Sequence, residues 1–588
     1  MATGHRLTCR QVVLCVLVLS GVALRASALE VDEVRWGFAG TAVPERVNLL
    51  SVLLRETDGR TFDGDVRLHK ELSPGRRLGA QLVQPCYLAP YTSRWVQFYP
   101  YVAEPRERWV LTAGRRSFDV PSPRPGAPAV VHVADEPTRT TRATGVPSFA
   151  ASLFPPAVTA TDGLYAVVLD HAPRWEAPRR EAFTDWLRRG GTVHVVEAAG
   201  GGRPEFEGEL AVLNGSDGRL RVGSGLVVRH ALPAREITAA YLAEQGFALP
   251  ALADGATAFG YDFAGGLFRV LRELVNPEHN WALIFGVLVV YLVCVCPVNY
   301  LIGRKVRDFR VAIGFAVACF VGFSLLLSAL GRRGYGESAA VHALSYARPV
   351  GATSYDVTQW INAFAVRGDY YTIEHPGAHS IYSTCQTVEA VNGLIESGPR
   401  ARFLVDVPLY SSRSFLHRGL MDGPDLGVRV AEWPDAGRLD GLRIAVGEDF
   451  PESLIEGWAL HRDRFYPLRR GGEGLDVRDQ RGTTRDRFLR RDEMNVNQIT
   501  RYSNYPTEGK DAQAICQGLL RLLIARATGG TDDLPYRIDV PGRDDDTLEL
   551  FLFAESPEGF RLRRNPFGRE AGYVLYHLCL HVPEGTDE

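Results

Sequence analysis

The pattern of apolar and polar positions changes character along the chain, and those changes divide it. Two runs near the middle, 281–302 (WALIFGVLVVYLVCVCPVNYLI) and 311–330 (VAIGFAVACFVGFSLLLSAL), carry no charged residue. A helix rises about 1.5 Å per residue, so about 20 apolar residues cross a hydrocarbon core of roughly 30 Å. Each run meets that length. The segment between them, 303–310 (GRKVRDFR), is short and basic, as a cytoplasmic turn should be. The pattern predicts a transmembrane helical hairpin at 281–302 and 311–330, with the long polar segments before and after it on one side of the membrane. Arg332 and Arg333 follow the second run at its other end and oppose this orientation signal.

The start of the chain agrees with that topology. His5, Arg6 and Arg10 precede an apolar stretch at 11–24, which Arg25 ends, and Ala26-Ser27-Ala28 follows. This reads as a secretory signal peptide, 1–28, cut after Ala28. Left uncut, it would impose the same orientation. No Cys follows at the spacing of a lipid anchor. The expected location is a bacterial inner (cytoplasmic) membrane, with two spans and soluble domains on the exported side.

Between 30 and 122, short runs alternate and are punctuated by Gly, Asp and Pro: 47–54, a turn at Thr57-Asp58-Gly59-Arg60, then 64–68, 95–99 and 109–111. That grammar predicts a small antiparallel, Ig-like β-sandwich. Pro121, Pro123 and Pro125 mark a boundary. From 127 to 275 the strands become continuously apolar (129–133, 164–170 and 192–197), as in a parallel sheet buried on both faces. A helix at 177–189 places Phe183, Trp186 and Leu187 on one face, Gly190-Gly191 stops it, and a strand follows at once. This is a βαβ unit in a three-layer α/β domain. Further helices are expected at 236–245 and 267–275. Residues 336–588 return to β character, with a helix at about 510–527. Residues 469–507, rich in Arg, Asp and Gly, are expected to be the least ordered.

Taken together, the fold class is a multidomain membrane protein. It comprises an N-terminal β-sandwich, an α/β domain, a transmembrane hairpin and a C-terminal β-rich domain. The helix ending in Asp185-Trp186-Leu187, then Gly190-Gly191, the strand 192–196 and the Gly223-Ser224-Gly225 strand at 223–228 add detail. Together they resemble the class I glutamine amidotransferase-like (flavodoxin-like) fold. The whole-chain order resembles bacterial envelope proteins that combine such a domain with β-sandwiches and a two-helix anchor. The resemblance implies partners among other envelope proteins, including MoxR-type ATPases and von Willebrand factor A proteins. It also implies a Cys nucleophile on a Gly-flanked strand-to-helix turn, served by a His. After the strand ending at Glu197 this chain reads Ala198-Ala199-Gly200-Gly201-Gly202-Arg203, and no Cys occurs between 87 and 293. The thiol chemistry of the fold is therefore not expected.

Candidate chemistry is sparse. Asp170, His171 and Glu197 fall at the C-terminal ends of parallel strands, where α/β proteins place ligand sites, so they form a candidate ligand rim. The plainer reading is polar residues that end strands. Gly200-Gly201-Gly202 has the glycines of a phosphate loop but lacks its Lys-Ser/Thr. In the strand 573–582, His577, Cys579 and His581 share a face and could hold a metal, though no fourth ligand is identified. No cofactor is expected. A net charge of −3 offers no case for nucleic acid. Of nine Cys, those at 86, 385, 516 and 579 are too scattered for a disulfide framework. Two uncharged helices give a transporter no ionisable site. Two functions remain. One is a non-catalytic, membrane-anchored envelope protein whose exported domains bind partners. The other is an envelope hydrolase or ligand-binding sensor with a degenerate amidotransferase-like site.

Overall fold

A computed structural model describes residues 29–103, 107–135, 146–198, 200–215, 218–247, 249–252, 263–275, 281–306, 308–334, 339–385, 391–433, 439, 441–472, 474–477, 481–489, 512–528, 536–537 and 547–581. The signal segment 1–28 and much of 469–507 lie outside these residues. Within 469–489, strand Gly474–Val477 and the short helix Arg485–Leu489 are formed, because Phe488 and Leu489 bury against the core.

The N-terminal strands make two antiparallel layers. Leu29–Trp36, Leu50–Glu56 and Ser93–Phe98 form one sheet. Phe62–Ser73, Arg76–Leu88, Arg108–Ala113 and Arg116–Val120 belong to the other. Alternation sends Leu50, Val52 and Leu54 into the space between the layers, against Val66, Leu68 and Leu111. The second layer does not end with the N-terminal segment. Strand Gly393–Glu396 pairs in parallel with Arg76–Leu88, with Leu394 opposite Gln81 and Ile395 opposite Leu82. Strands Arg402–Val407 and Asp369–Ile373 extend it, giving seven strands drawn from both sides of the apolar helices. Ile395, Phe403 and Val405 join the same core.

The α/β unit is a six-stranded sheet. Ser148–Ala150, Ala129–Ala134, Leu164–Leu169, Thr192–Glu197 and Gly225–Pro233 are mutually parallel in that order, and Arg219–Val222 lies antiparallel at the edge. Helix Ala177–Arg188 covers one face through Phe183, Trp186 and Leu187. Helix Ala239–Glu244, capped by Thr238, covers the other through Leu242. Gly225 is required where strand and helix meet: a Cβ there would lie 1.9 Å from the Leu187 carbonyl oxygen. The helix Phe263–Val275, which the chain order assigns to this unit, packs elsewhere. Its apolar face (Phe263, Leu267, Phe268 and Leu271) meets Leu344, Trp360 and Leu416 of the C-terminal sheet and Leu519 and Leu523 of helix Ala512–Thr528. Its apolar residues suit either partner, and the larger flat sheet is the one within reach.

That C-terminal sheet has twelve strands, with Ala340–Pro349 and Arg569–His581 parallel at its middle. Strand Thr547–Glu555 (TLELFLFAE) is buried on both faces. Phe551 and Phe553 face the helices, while Leu548, Leu550 and Leu552 face a second apolar layer.

Two helices are long and apolar enough to cross a membrane, Ala282–Val306 and Phe309–Ser328, and neither is buried against the rest of the chain. The first passes through a π-turn at Cys294–Val298, where Pro297 removes a backbone donor. Tyr291 meets Phe323 across the pair, with ring centroids 5.3 Å apart. Arg304 and Lys305 fall in the last helical turn rather than in a loop, so the turn is shorter than 303–310. Cations there complement the carbonyl end of the helix.

A buried ion cluster ties the α/β unit to the large sheet. Asp356 accepts Arg189 at 2.7 Å and Arg348 at 3.0 Å, and also pairs with Arg418. Arg418 bonds Asp162 as well, and Arg189 donates to Thr161 Oγ1 at 2.9 Å. Burial opposes the charged form of both acids, but the surrounding guanidiniums outweigh it and hold them below the usual carboxylate range. Removing one member strands the others, so Asp356→Ala should cost roughly 3–5 kcal/mol in chemical denaturation. A loss below about 1 kcal/mol, the value typical of an exposed pair, would show that the cluster is solvated.

Candidate functional site at the strand ends of the α/β sheet

Because the five strands are parallel, their C-terminal ends share one rim. Three adjacent ends carry ionisable groups. Asp170 and His171 follow Leu164–Leu169, Asp135 follows Ala129–Ala134, and Glu197 closes Thr192–Glu197.

The structure links four residues into a chain. His132 Nε2 lies 3.1 Å from Asp170 Oδ2, Asp170 Oδ1 lies 2.6 Å from His171 Nδ1, and His171 Nε2 lies 3.2 Å from Asp135 Oδ1. Side-chain exposure rises along it, from 16% at His132 to 51% at Asp135. The chain therefore runs from the sheet toward solvent. Partial burial opposes ionisation of Asp170, yet two imidazoles outweigh it and hold its carboxyl well below the ordinary range. The hydrogen bond that His171 donates to Asp170 raises His171, and Asp135 adds to the effect. An imidazole between two carboxylates can hold a proton at Nε2 for an acceptor in the rim.

Glu197 is half-buried and stands outside this chain. Beyond it, Gly201 N–H donates to the Ala198 carbonyl at 2.9 Å and Ala198 N–H to the Gly202 carbonyl at 3.0 Å. The loop closes on its own backbone through Gly201 and Gly202 at positive φ. Ala199 lies outside the described residues. The position where the resembled fold would present a thiol offers none.

The strand Arg569–His581 disperses its three candidates. His577 accepts or donates between the Tyr346 hydroxyl at 2.7 Å and Glu549 at 3.1 Å, and stacks on Phe551. His581 Nε2 lies 3.3 Å from the Gly223 carbonyl of the α/β unit. Cys579 stands opposite Glu549 in register. Among the described residues, no group of three or more His, Cys, Asp or Glu is placed to hold a metal.

Two groups escaped the sequence reading. His132 and Asp135 belong to the rim, and a lone His in an otherwise apolar strand (AVVHVA) was the available signal. On the same face of the sheet as His132, deeper under helix Ala239–Glu244, His194 Nδ1 lies 3.0 Å from His230 Nε2, and His230 Nδ1 lies 3.0 Å from the Tyr241 hydroxyl. Burial pushes His194 down to about 3, so it is neutral at physiological pH.

These shifts act in opposite directions on stability. His171 has a raised value, so its contribution is complete below about pH 6.5 and is lost as pH rises through its folded value. His194 has a lowered value, so its contribution is present above about pH 6.5 and is lost as pH falls toward 3. Thermal melts across pH 4–9 should show that His171→Gln loses stability relative to wild type chiefly in the acid half of that range. His194→Phe should abolish part of the acid-side fall. Parallel curves for wild type and both variants would refute the charge states assigned to these rings.

No protein-family model matches the chain, and no curated protein does. Among solved structures, a Paenibacillus sp. cycloisomaltooligosaccharide glucanotransferase complexed with cycloisomaltoheptaose aligns at 13% identity over 28% of each chain, with a TM-score of 0.16. The chain thus spans about 28% of that protein's length, and at this score the likeness carries no argument about fold or activity.

Proposed function

We propose that this chain is a non-catalytic, membrane-anchored protein of the bacterial envelope whose exported domains bind partner proteins. The observation that carries this reading is the pairing of Gly393–Glu396 with Arg76–Leu88. Strands in one ladder occupy one compartment. The chain between residues 88 and 393 therefore makes an even number of crossings. The two helices at 282–306 and 309–328 present large apolar side chains such as Phe285, Leu288, Phe320 and Leu325, which water would not tolerate as a single patch. Inserted as a hairpin, they anchor the folded body from one side. The basic residues Arg304, Lys305, Arg307 and Arg310 put their turn in the cytoplasm and the body on the exported face.

In this reading the α/β unit is a class I glutamine amidotransferase-like domain retained for its surface. Ala198 and the self-closed glycine loop stand where a nucleophile would be, so no covalent intermediate can form there. The rim at Asp170 and the outer sheet faces are then docking surfaces, for envelope partners of the MoxR-type ATPase and von Willebrand factor A classes. A second reading has one observation in its favour. The hydrogen-bonded set Asp170–His171–Asp135, with His132 Nε2 3.1 Å from Asp170, is built like a proton relay, which suits a ligand-binding sensor or a hydrolase using water.

Fusions of a periplasm-active phosphatase test the anchoring: activity is expected after Gly336 and not after Arg307. The reverse pattern would place the body in the cytoplasm. Purified full-length protein should show no glutaminase activity. Activity that disappears in an Asp170→Ala, His171→Ala, Glu197→Ala triple variant would replace the non-catalytic reading with the second one.

A further inference from the structure

A cavity of about 130 Å³ lies where the N-terminal sandwich, the α/β unit and the large sheet meet. Four arginines line it: Arg46, Arg348, Arg418 and Arg526. Two acids, Glu45 and Asp162, share the wall. Among the described residues that is four positive charges against two negative, an excess of two. Adding Arg189 and Asp356, which lie just behind and pair with each other, leaves the excess unchanged at five against three. The acids are engaged by the protein itself. Asp162 is held by Arg418, while Glu45 accepts the Tyr101 hydroxyl at 2.5 Å and the Ala264 N–H at 3.3 Å.

Among the described residues, three donors on this wall lack an acceptor. They are Nε of Arg348, Nε of Arg418 and the indole N–H of Trp360, with Arg418 and Trp360 only 1% and 2% exposed. Buried donors left without acceptors cost free energy, and buried charge costs more. The volume is well above the ~10–15 Å³ that one water needs, but water does not offset charge. Backbone geometry points to the same place. Glu45 is held at a φ of +58°, a strained conformation for a residue with a side chain. Its N–H donates to the Val102 carbonyl at 2.7 Å, and its own carbonyl accepts Arg526. Arg526 is fixed over the rings of Phe263 and Trp360, 4.5 and 5.8 Å from their centroids.

We propose that this cavity binds a small oxyanion, a carboxylate or inorganic phosphate, on the guanidinium groups of Arg46, Arg348 and Arg526. Guanidinium forks match both anions in shape and charge. Because the wall draws on the sandwich, the α/β unit and the large sheet, the anion would fasten these units together from inside. This site is separate from the strand-end rim and independent of membrane orientation.

Thermal unfolding of the full-length protein in detergent, read at constant ionic strength, tests the proposal. Inorganic phosphate and succinate are titrated separately, with chloride as control. At least one oxyanion should raise Tm saturably where chloride does not, and the one with the lower midpoint identifies the chemistry. Arg526→Gln should raise that midpoint about ten-fold or more, the loss expected for one charge-assisted hydrogen bond. Arg46→Lys, which keeps the charge of a residue proposed to hold the anion but loses its planar fork, provides a milder variant should the first not fold, and its midpoint should also rise. Arg67→Gln, on the exposed face of the sandwich, should leave it unchanged. Equal responses to all three anions would overturn the site, as would a midpoint that neither wall variant moves.

Discussion

The interaction on which the assembly depends is the buried contact of Asp356 and Asp162 with Arg189, Arg348 and Arg418. Asp356, Arg418 and Arg348 sit on adjacent strands of the large sheet, and Arg189 and Asp162 frame the helix-to-strand junctions of the α/β unit. Ions this deep are costly to desolvate, and each is tolerated only while its partners are in place. The cluster therefore adds little net stability but penalises any other docking of the two units. An apolar interface could slide, whereas this one has a single register.

Strand pairing supplies the second constraint. The N-terminal sandwich needs strands Asp369–Ile373, Gly393–Glu396 and Arg402–Val407 to complete its second layer, and those strands lie beyond the apolar helices. The helix Phe263–Val275, just before them, is already packed on the large sheet together with helix Ala512–Thr528. The apolar hairpin thus leaves the folded body and returns to it. Its ends are tied by the first strand after it, Ala340–Pro349, which sits at the centre of the large sheet.

Chemistry is distributed unevenly over this frame. The strand-end rim holds a charged relay, while His194 and His230, on the same face as His132, are kept neutral by burial. His375 and His417 stack in the large sheet, with His417 satisfied by Gln359 and Ser380, and are likewise kept neutral. At the meeting point of the units, four arginines among the described residues line one cavity. Charged side chains are thus gathered where the units join as well as at the rim of the α/β sheet.

What the sequence determined by itself was local. Uncharged runs of membrane length, alternating strands, and a helix stopped by Gly190-Gly191 and followed by an apolar strand all follow from periodicities of a few residues. Asp170 and His171 were legible because a strand end is visible in the chain. Their partners His132 and Asp135 were not, since parallel pairing brings together residues more than 30 positions apart. Tertiary structure alone decided that strand Gly393–Glu396 completes the sheet begun at Phe62–Ser73, and that helix Phe263–Val275 packs on the C-terminal sheet. It also decided that five charges from five separate segments share one buried cluster. An apolar face specifies that it must be covered but not by what, and a charge specifies that it needs a partner but not which one. Those choices belong to the packing of the whole chain.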